Sequence, residues 1–298
     1  MSTWNAWVHA ARLRTLPLAL SCVLMGGFLA YADGRVDGIA FMLAIVTTVL
    51  LQVLSNFAND YGDYASGVDL SGRVGPVRAL QGGHLTMSQM RSALFTTSLL
   101  AFISGLSLLL VADIPTGGLI TLLMVGLLAI IAAITYTIGK RPYGYIGLGD
   151  LSVFIFFGLA GVLGSHYVIN GTFDAQNILL AASCGFFSVG VLNLNNIRDL
   201  EADKVHHKNT LPVWLGRKKA VIYHIVLLTS GWMTALGYHF LNYTSWHQFI
   251  FVLALPFFVF NVQRLISQKQ DSIDPLLKQL ALSTLLFVLL HGLGWVIA

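Results

Sequence analysis

The sequence predicts an all-α integral membrane protein, a bundle of nine transmembrane helices with its N-terminus in the cytoplasm and its C-terminus outside. Three observations predict it. Hydrophobic residues make up 56% of the 298 positions and charged residues only 10%, against about 25% charged in an ordinary soluble domain. Nine apolar runs approach the ~20 residues a bilayer crossing needs. The basic residues fall almost entirely on one side of those runs.

The runs lie at about 15–32, 38–58, 92–111, 117–138, 151–169, 176–196, 219–241, 246–263 and 280–298. Arg12 and Arg14 precede the first, and "AYA" ends it at Ala32. That pattern also fits a cleaved signal peptide, but eight further spans need no cleaved leader. The second run ends in "NFANDYGD", Asn56 to Asp63, and the sixth in "NNIRDLEAD", Asn195 to Asp203. The outer loops are short, and the inner loops after the second and sixth runs are the long ones. With the N-terminus inside, sixteen of the seventeen Lys and Arg fall in cytoplasmic segments, and only Arg35 lies opposite. The positive-inside rule and an odd number of spans therefore agree. Cys22 and Cys184 sit far apart in apolar runs with no CxxC or CxxH spacing, so a disulfide or thiolate metal site is not indicated. There is no basic stripe of the kind that binds nucleic acid. No soluble domain or linker interrupts the chain, so function resides in the bundle and its cytoplasmic loops.

The two acidic segments echo one another. Each reads Asn-x3-Asp with a second Asp three or four residues on, four helices apart and on one membrane face. This spacing suggests one membrane-embedded domain of two related four-helix halves, about 15–138 and 151–263, plus a ninth helix at about 280–298. On a helix, Asn56, Asp60 and Asp63 share a face, as do Asn195, Asp199 and Asp203. A carboxylate at membrane depth costs roughly 2.5–3.5 kcal/mol, and four facing one another repel. A divalent cation between them relieves both penalties. Carboxylate and amide donors without His or Cys point to a hard ion, Mg²⁺ or else Mn²⁺, which typically shares its shell with substrate phosphates. Arg14, Arg73, Arg78, Lys140, Lys204 and Lys208 lie in the flanking segments and suit a diphosphate. A polar head at the surface with an apolar tail in the bilayer describes a polyprenyl diphosphate. A single acidic pair at a helix end is commonplace; two at matched depth, each with a preceding Asn and nearby cations, are not.

These residues resemble the two aspartate-rich motifs of the UbiA superfamily of intramembrane aromatic prenyltransferases, and the resemblance spans essentially the whole chain. The stretches "ARLRTLP" (11–17), "LSNFANDYGD" (54–63), "RVGPVRA" (73–79), "YTIGKRPYGYIGLGDLSVFIFFG" (136–158) and "LNLNNIRDLEAD…KNTLPVWLG" (192–216) are similar to the branch that prenylates 1,4-dihydroxy-2-naphthoate in menaquinone synthesis. The resemblance implies that Asp60 and Asp63 hold one Mg²⁺, and Asp199 and Asp203 another. It implies that Arg14, Arg73, Arg78, Lys140 and Lys208 grip the diphosphate, and that Asn56, Asn59 and Asn195 orient ligands or substrate. Tyr136 and Tyr143 would face the carbocation or the acceptor ring, with Arg141 or Lys140 meeting the acceptor carboxylate. The general pattern NDxxDxxxD is not kept, since Asp69 comes six residues after Asp63, so a ligand role for Asp69 stays open. The implied setting is a bacterial cytoplasmic membrane, with lipid around the bundle and the site facing the cytoplasm. Two rivals are a cation transporter, which would place its carboxylates near the midplane, and a related enzyme acting on 4-hydroxybenzoate, a phytyl acceptor or haem. "GYIGLG" (144–149) lacks GxGxxG spacing and a βαβ setting, and reads as the turn into the fifth helix.

Overall fold

The computed structural model describes residues 2–68, 77–267 and 273–298; Asp69 and Arg73 lie outside the described residues. Nine helices among them are long and apolar enough to cross a membrane: α1 Thr3–Ala32, α2 Gly38–Ala65, α3 Met87–Val111, α4 Thr116–Thr135, α5 Gly149–Asn170, α6 Ala175–Arg198, α7 Leu211–Leu241, α8 Trp246–Ser267 and α9 Asp274–Val296. Each contains most of one apolar run, and no strand occurs among the described residues.

The departures from the sequence-based boundaries have physical causes. α1 begins well before its apolar run. Its first turns, Thr3–Ala11, are capped by the Ser2 side chain and end at Arg12, whose φ of 48° puts it in the left-handed region. Ala6 and Ala10 face inward there while Trp4 is 75% exposed, an arrangement suited to the membrane interface. α2 does not stop at residue 58 but runs on to Ala65. Asp60 and Asp63 are only 1% and 2% exposed, so these acids lie inside the fold rather than marking the end of the helix. α6 ends at Arg198, and a separate short helix, Leu200–Val205, follows. The expected single stripe of Asn195, Asp199 and Asp203 is therefore interrupted at Asp199. Its direction persists, because Asp199 N–H donates to the Asn195 carbonyl at 3.1 Å and Asp203 N–H to the Asp199 carbonyl at 2.8 Å. α7 starts at Leu211 and is broken at Gly216, where φ is 73° and ψ 159°. Its long apolar portion begins only beyond that break.

The core is built where α1, α6, α7, α8 and α9 meet. Met25, Leu29, Phe187, Phe258 and Phe287 are buried there, with Phe187 4.6 Å from Phe258 and 5.1 Å from Phe287 between ring centroids. Cys22 and Cys184 are both buried and free. α4 has no buried residue and forms the periphery. In α5, residues Phe154–Leu163 are wound as a π-helix. Gly158 in that segment admits α6 so closely that a Cβ would lie 2.7 Å from the Ala181 carbonyl oxygen and 2.8 Å from Gly185 Cα. Backbone cannot rotate away as a side chain can. Gly158→Ala is expected to destabilise the bundle by about 1–3 kcal/mol, the usual cost of overpacking, read as a lower thermal midpoint in detergent. An unchanged midpoint would show that the α5–α6 contact yields.

Candidate active site

The extension of α2 and the short helix after α6 bring the two acidic segments together. Asp63 is the hub. Its Oδ2 lies 2.6 Å from Arg78 Nη1, and its Oδ1 accepts from the Tyr145 hydroxyl at 2.6 Å. The Lys208 ammonium stands 3.8 Å from Asp63 Oδ1 and 3.8 Å from Asp203 Oδ1. One cation thus bridges the first segment to the second. Lys208 also lies 5.2 Å from the centroid of the Tyr145 ring, and Thr210 Oγ1 donates to Asp203 Oδ2 at 3.4 Å. Arg78 holds its place by donating to the Asn59 carbonyl at 2.6 Å. Asp63, Arg78, Asp199, Asp203 and Lys208 line one small pocket.

Burial sets the electrostatics. It pushes the Asp203 carboxyl up to about 6; Lys208 opposes that rise, and Asp199 and Asp63 add to it. For Lys208, burial alone would favour the neutral amine, but Asp63 and Asp203 outweigh it, so its pKa is raised and the ammonium persists. The Tyr145 phenol is raised by burial, then by Asp63, so it serves as a hydrogen-bond donor.

A second network flanks Asp199. Arg198, 1% exposed, donates from Nε to Asp199 Oδ1 at 2.9 Å and from Nη2 to Oδ2 at 2.6 Å. The same Nη2 donates to Asn195 Oδ1 at 2.8 Å. Its Nη1 reaches Asp274 Oδ1 at 2.5 Å, and Arg14 Nη1 meets Asp274 Oδ2 at 2.9 Å.

The other sequence-derived candidates are placed as follows. Asp60 is buried one turn before Asp63. Asn56 donates to the Ala11 carbonyl at 2.9 Å and to Thr15 Oγ1 at 3.0 Å, fastening α2 to the break in α1. Tyr143 donates to the Ala132 carbonyl at 2.9 Å and pairs with Ser152 Oγ at 2.9 Å, tying α4 to α5. Tyr136 meets Tyr143 edge to face, with centroids 5.3 Å apart. Its phenol is raised by burial first and by the Asp150 carboxylate next. Lys140 and Arg141 are exposed in the turn between α4 and α5. The structure therefore gathers Asp63, Asp199, Asp203, Arg78 and Lys208, while Arg14 is turned to Asp274. Tyr145, Arg198 and Asp274 are additions that sequence reasoning missed. The available signal was their position: Tyr145 lies in the "YGYIGLG" turn, and Arg198 immediately precedes Asp199.

The donors fit a hard divalent cation. No three His, Cys, Asp or Glu side chains form a ready cage among the described residues, but Mg²⁺ typically takes one or two carboxylates and completes its shell with water and phosphate. Burial and the neighbouring carboxylates raise Asp203, and a bound cation would favour its carboxylate form.

Among the described residues, nine membrane-length helices carry a small polar pocket where aspartates of both acidic segments meet an arginine and a lysine, and such a bundle is an integral membrane protein with a site suited to a charged head group. The description of the UbiA prenyltransferase family matches residues 19–295, and the chain belongs to that family. It is 41% identical to a 1,4-dihydroxy-2-naphthoate octaprenyltransferase of Haemophilus influenzae over 98% of this chain and 96% of the relative. It is equally identical to the protein of that name from Escherichia coli, over 99% and 96%. Among solved structures, a UbiA homologue from Aeropyrum pernix K1 superposes with TM-score 0.71 at 16% identity, covering 96% of this chain and 98% of that one. A UbiA homologue from Archaeoglobus fulgidus bound to GPP and Mg²⁺ superposes with TM-score 0.67 at 15% identity, covering 97% and 100%. At such identities these structures speak for the fold.

Proposed function

We propose that this protein transfers a polyprenyl chain from an all-trans-polyprenyl diphosphate to 1,4-dihydroxy-2-naphthoate, releasing diphosphate and CO₂ and giving demethylmenaquinol. The observation that carries the reading is the pocket in which Lys208 bridges Asp63 and Asp203 beside Arg78. It lies in a chain that matches naphthoate octaprenyltransferases along nearly their whole length.

Asp60, Asp63, Asp199 and Asp203 would hold Mg²⁺. When bound, it would neutralise charge on the departing diphosphate. Arg78 and Lys208 act on the same oxygens. They are buried, and a charge fixed in a dry site stabilises a developing anion more than one in water. Arg73, Arg14 and Lys140 are further candidates for that grip. The donor's C1–O bond breaks with its electron pair leaving on the diphosphate, and the ring carbon bearing the carboxylate bonds to C1. The ring–carboxylate bond then breaks, its pair returns to the ring and CO₂ departs. Tyr136, packed edge to face on Tyr143, offers a π-face to the allylic cation, and the apolar bundle keeps water from it. The side to which the pocket opens is the cytoplasm, because the basic loops lie there.

Tail recognition is mostly burial, at about 0.8 kcal/mol per CH₂, so prenyl diphosphates of different lengths are expected to react. The test offers purified protein a panel of aromatic acids with one prenyl diphosphate and weighs the products. A mass showing dihydroxynaphthoate prenylated with loss of CO₂ is expected. A prenylated 4-hydroxybenzoate retaining its carboxylate, with no naphthoate product, would overturn the acceptor. A transporter would give neither product, and a path for cations is not one to hold Arg78 and Lys208.

A further inference from the structure

We infer that Asp274, the first residue of α9, is a positioning residue of the reaction: it anchors Arg198 and Arg14 and, by sharing the Arg198 guanidinium, lessens its competition with a divalent cation for Asp199. The inference rests on the reading of Asp199 as a carboxylate of the metal–diphosphate site.

Three helices converge at this carboxylate. Arg198 comes from the end of α6, Arg14 from α1 and Asp274 from the start of α9. Each Asp274 oxygen meets a different guanidinium, Oδ1 that of Arg198 at 2.5 Å and Oδ2 that of Arg14 at 2.9 Å. Arg198 in turn forks onto both oxygens of Asp199. An acid in the first turn of a helix is ordinary, being favoured there by the helix dipole. An acid that there receives two arginines from two other helices does more than cap.

The charges explain what it does. Arg14 and Arg198 both pair with Asp274, and Arg198 also pairs with Asp199. A fork this tight draws electron density from Asp199 and would weaken it as a ligand. Asp274 shares the guanidinium, so Asp199 is left with part of its charge to offer a cation. Remove the Asp274 charge, and the net charge beside Asp199 rises by one unit. A divalent cation is then repelled, while an anionic diphosphate is attracted. The two effects have opposite signs, and a simple loss of packing would not separate them.

Mn²⁺ binding by the purified protein in detergent, followed by electron paramagnetic resonance, gives a readout independent of turnover. Asp274→Asn is expected to weaken Mn²⁺ by about tenfold, the size of one unit charge several ångströms away at an effective dielectric near 20 after discounting for solvent. Inorganic pyrophosphate in the absence of metal is expected to bind at least as tightly as to wild type, and saturating metal is expected to restore most of kcat. Asp199→Asn is the control. If Asp199→Asn loses Mn²⁺ affinity and Asp274→Asn does not, the inference fails and the function stands. If Asp199→Asn leaves Mn²⁺ binding unchanged, the metal reading of the second acidic segment fails with it. Should Asp274→Asn not fold, Asp274→Glu carries the test: it keeps the charge, so unchanged Mn²⁺ affinity is expected, and a tenfold loss overturns the proposal.

Discussion

Asp63→Asn is expected to lower prenyl transfer by about a thousandfold or more, while the protein remains inserted and binds prenyl diphosphate at least as well as wild type. The split follows from the pocket. Asp63 meets Arg78, Tyr145 and Lys208; in the amide all three lose that carboxylate, though Lys208 keeps Asp203. Removing one member of a buried ion pair typically costs 3–5 kcal/mol, so thermal stability falls as well. A diphosphate supplies the missing negative charge, so KM for the donor holds or drops. Turnover falls because, on the proposed reading, the substituted side chain would no longer hold a cation, and loss of one electrostatic contributor in such a site is worth about a hundred- to a thousandfold. Loss of the bridge between the two segments adds to it. The measurement is kcat and KM from product mass, with the thermal midpoint recorded with and without donor. A kcat within tenfold of wild type would remove Asp63 from the metal site.

Much of this was legible in the sequence, and what was not has identifiable causes. Nine spans follow from apolar runs and lopsided cations, because lipid leaves little freedom in how such runs fold. The ends of α2 and α7 were harder to read. Hydropathy counts Asp60 and Asp63 as solvent residues, while the fold buries both. Gly216 hides a helical turn and a half on the far side of a break. In the site, Asp63, Asp203 and Lys208 were readable because their residue types state their chemistry. Tyr145 was not, since a lone tyrosine at a helix end usually belongs to the interfacial belt, and only the tertiary fold brings its hydroxyl to Asp63. Arg198 counted as one more cytoplasmic cation; nothing local reveals that it is among the largest fully buried side chains. Asp274 precedes its apolar run by six residues and shows its role only when α9 meets α1 and α6. Conversely, Lys140 has the right residue type but sits exposed in a turn, where type alone does not define a contact.

Lys208→Met is expected to reduce kcat/KM by about a hundredfold or more and to make the stability of the protein depend more steeply on Mg²⁺. Methionine has nearly the length of lysine and packs well in an apolar setting, so the change removes chiefly the charge. In wild type the ammonium lies 3.8 Å from a carboxylate of each acidic segment and offsets their repulsion before any cation arrives. Without it, Asp63 keeps its pair with Arg78, but its repulsion of Asp203 is offset less, and the metal-free protein loses stability. A divalent cation would then offset more of that repulsion than it does in wild type. The thermal midpoint is therefore expected to fall without metal and to recover with added Mg²⁺ by more than wild type gains. Activity is not expected to recover with it, because in the proposed mechanism Lys208 would also meet the departing diphosphate. The opposite pairing, full activity at saturating Mg²⁺ with a wild-type thermal response, would reduce Lys208 to a packing residue. The contrast with Asp274→Asn is diagnostic. Removing a cation from between the acidic segments increases the demand for metal, while removing an anion from behind them lowers the affinity, and one electrostatic description requires both signs.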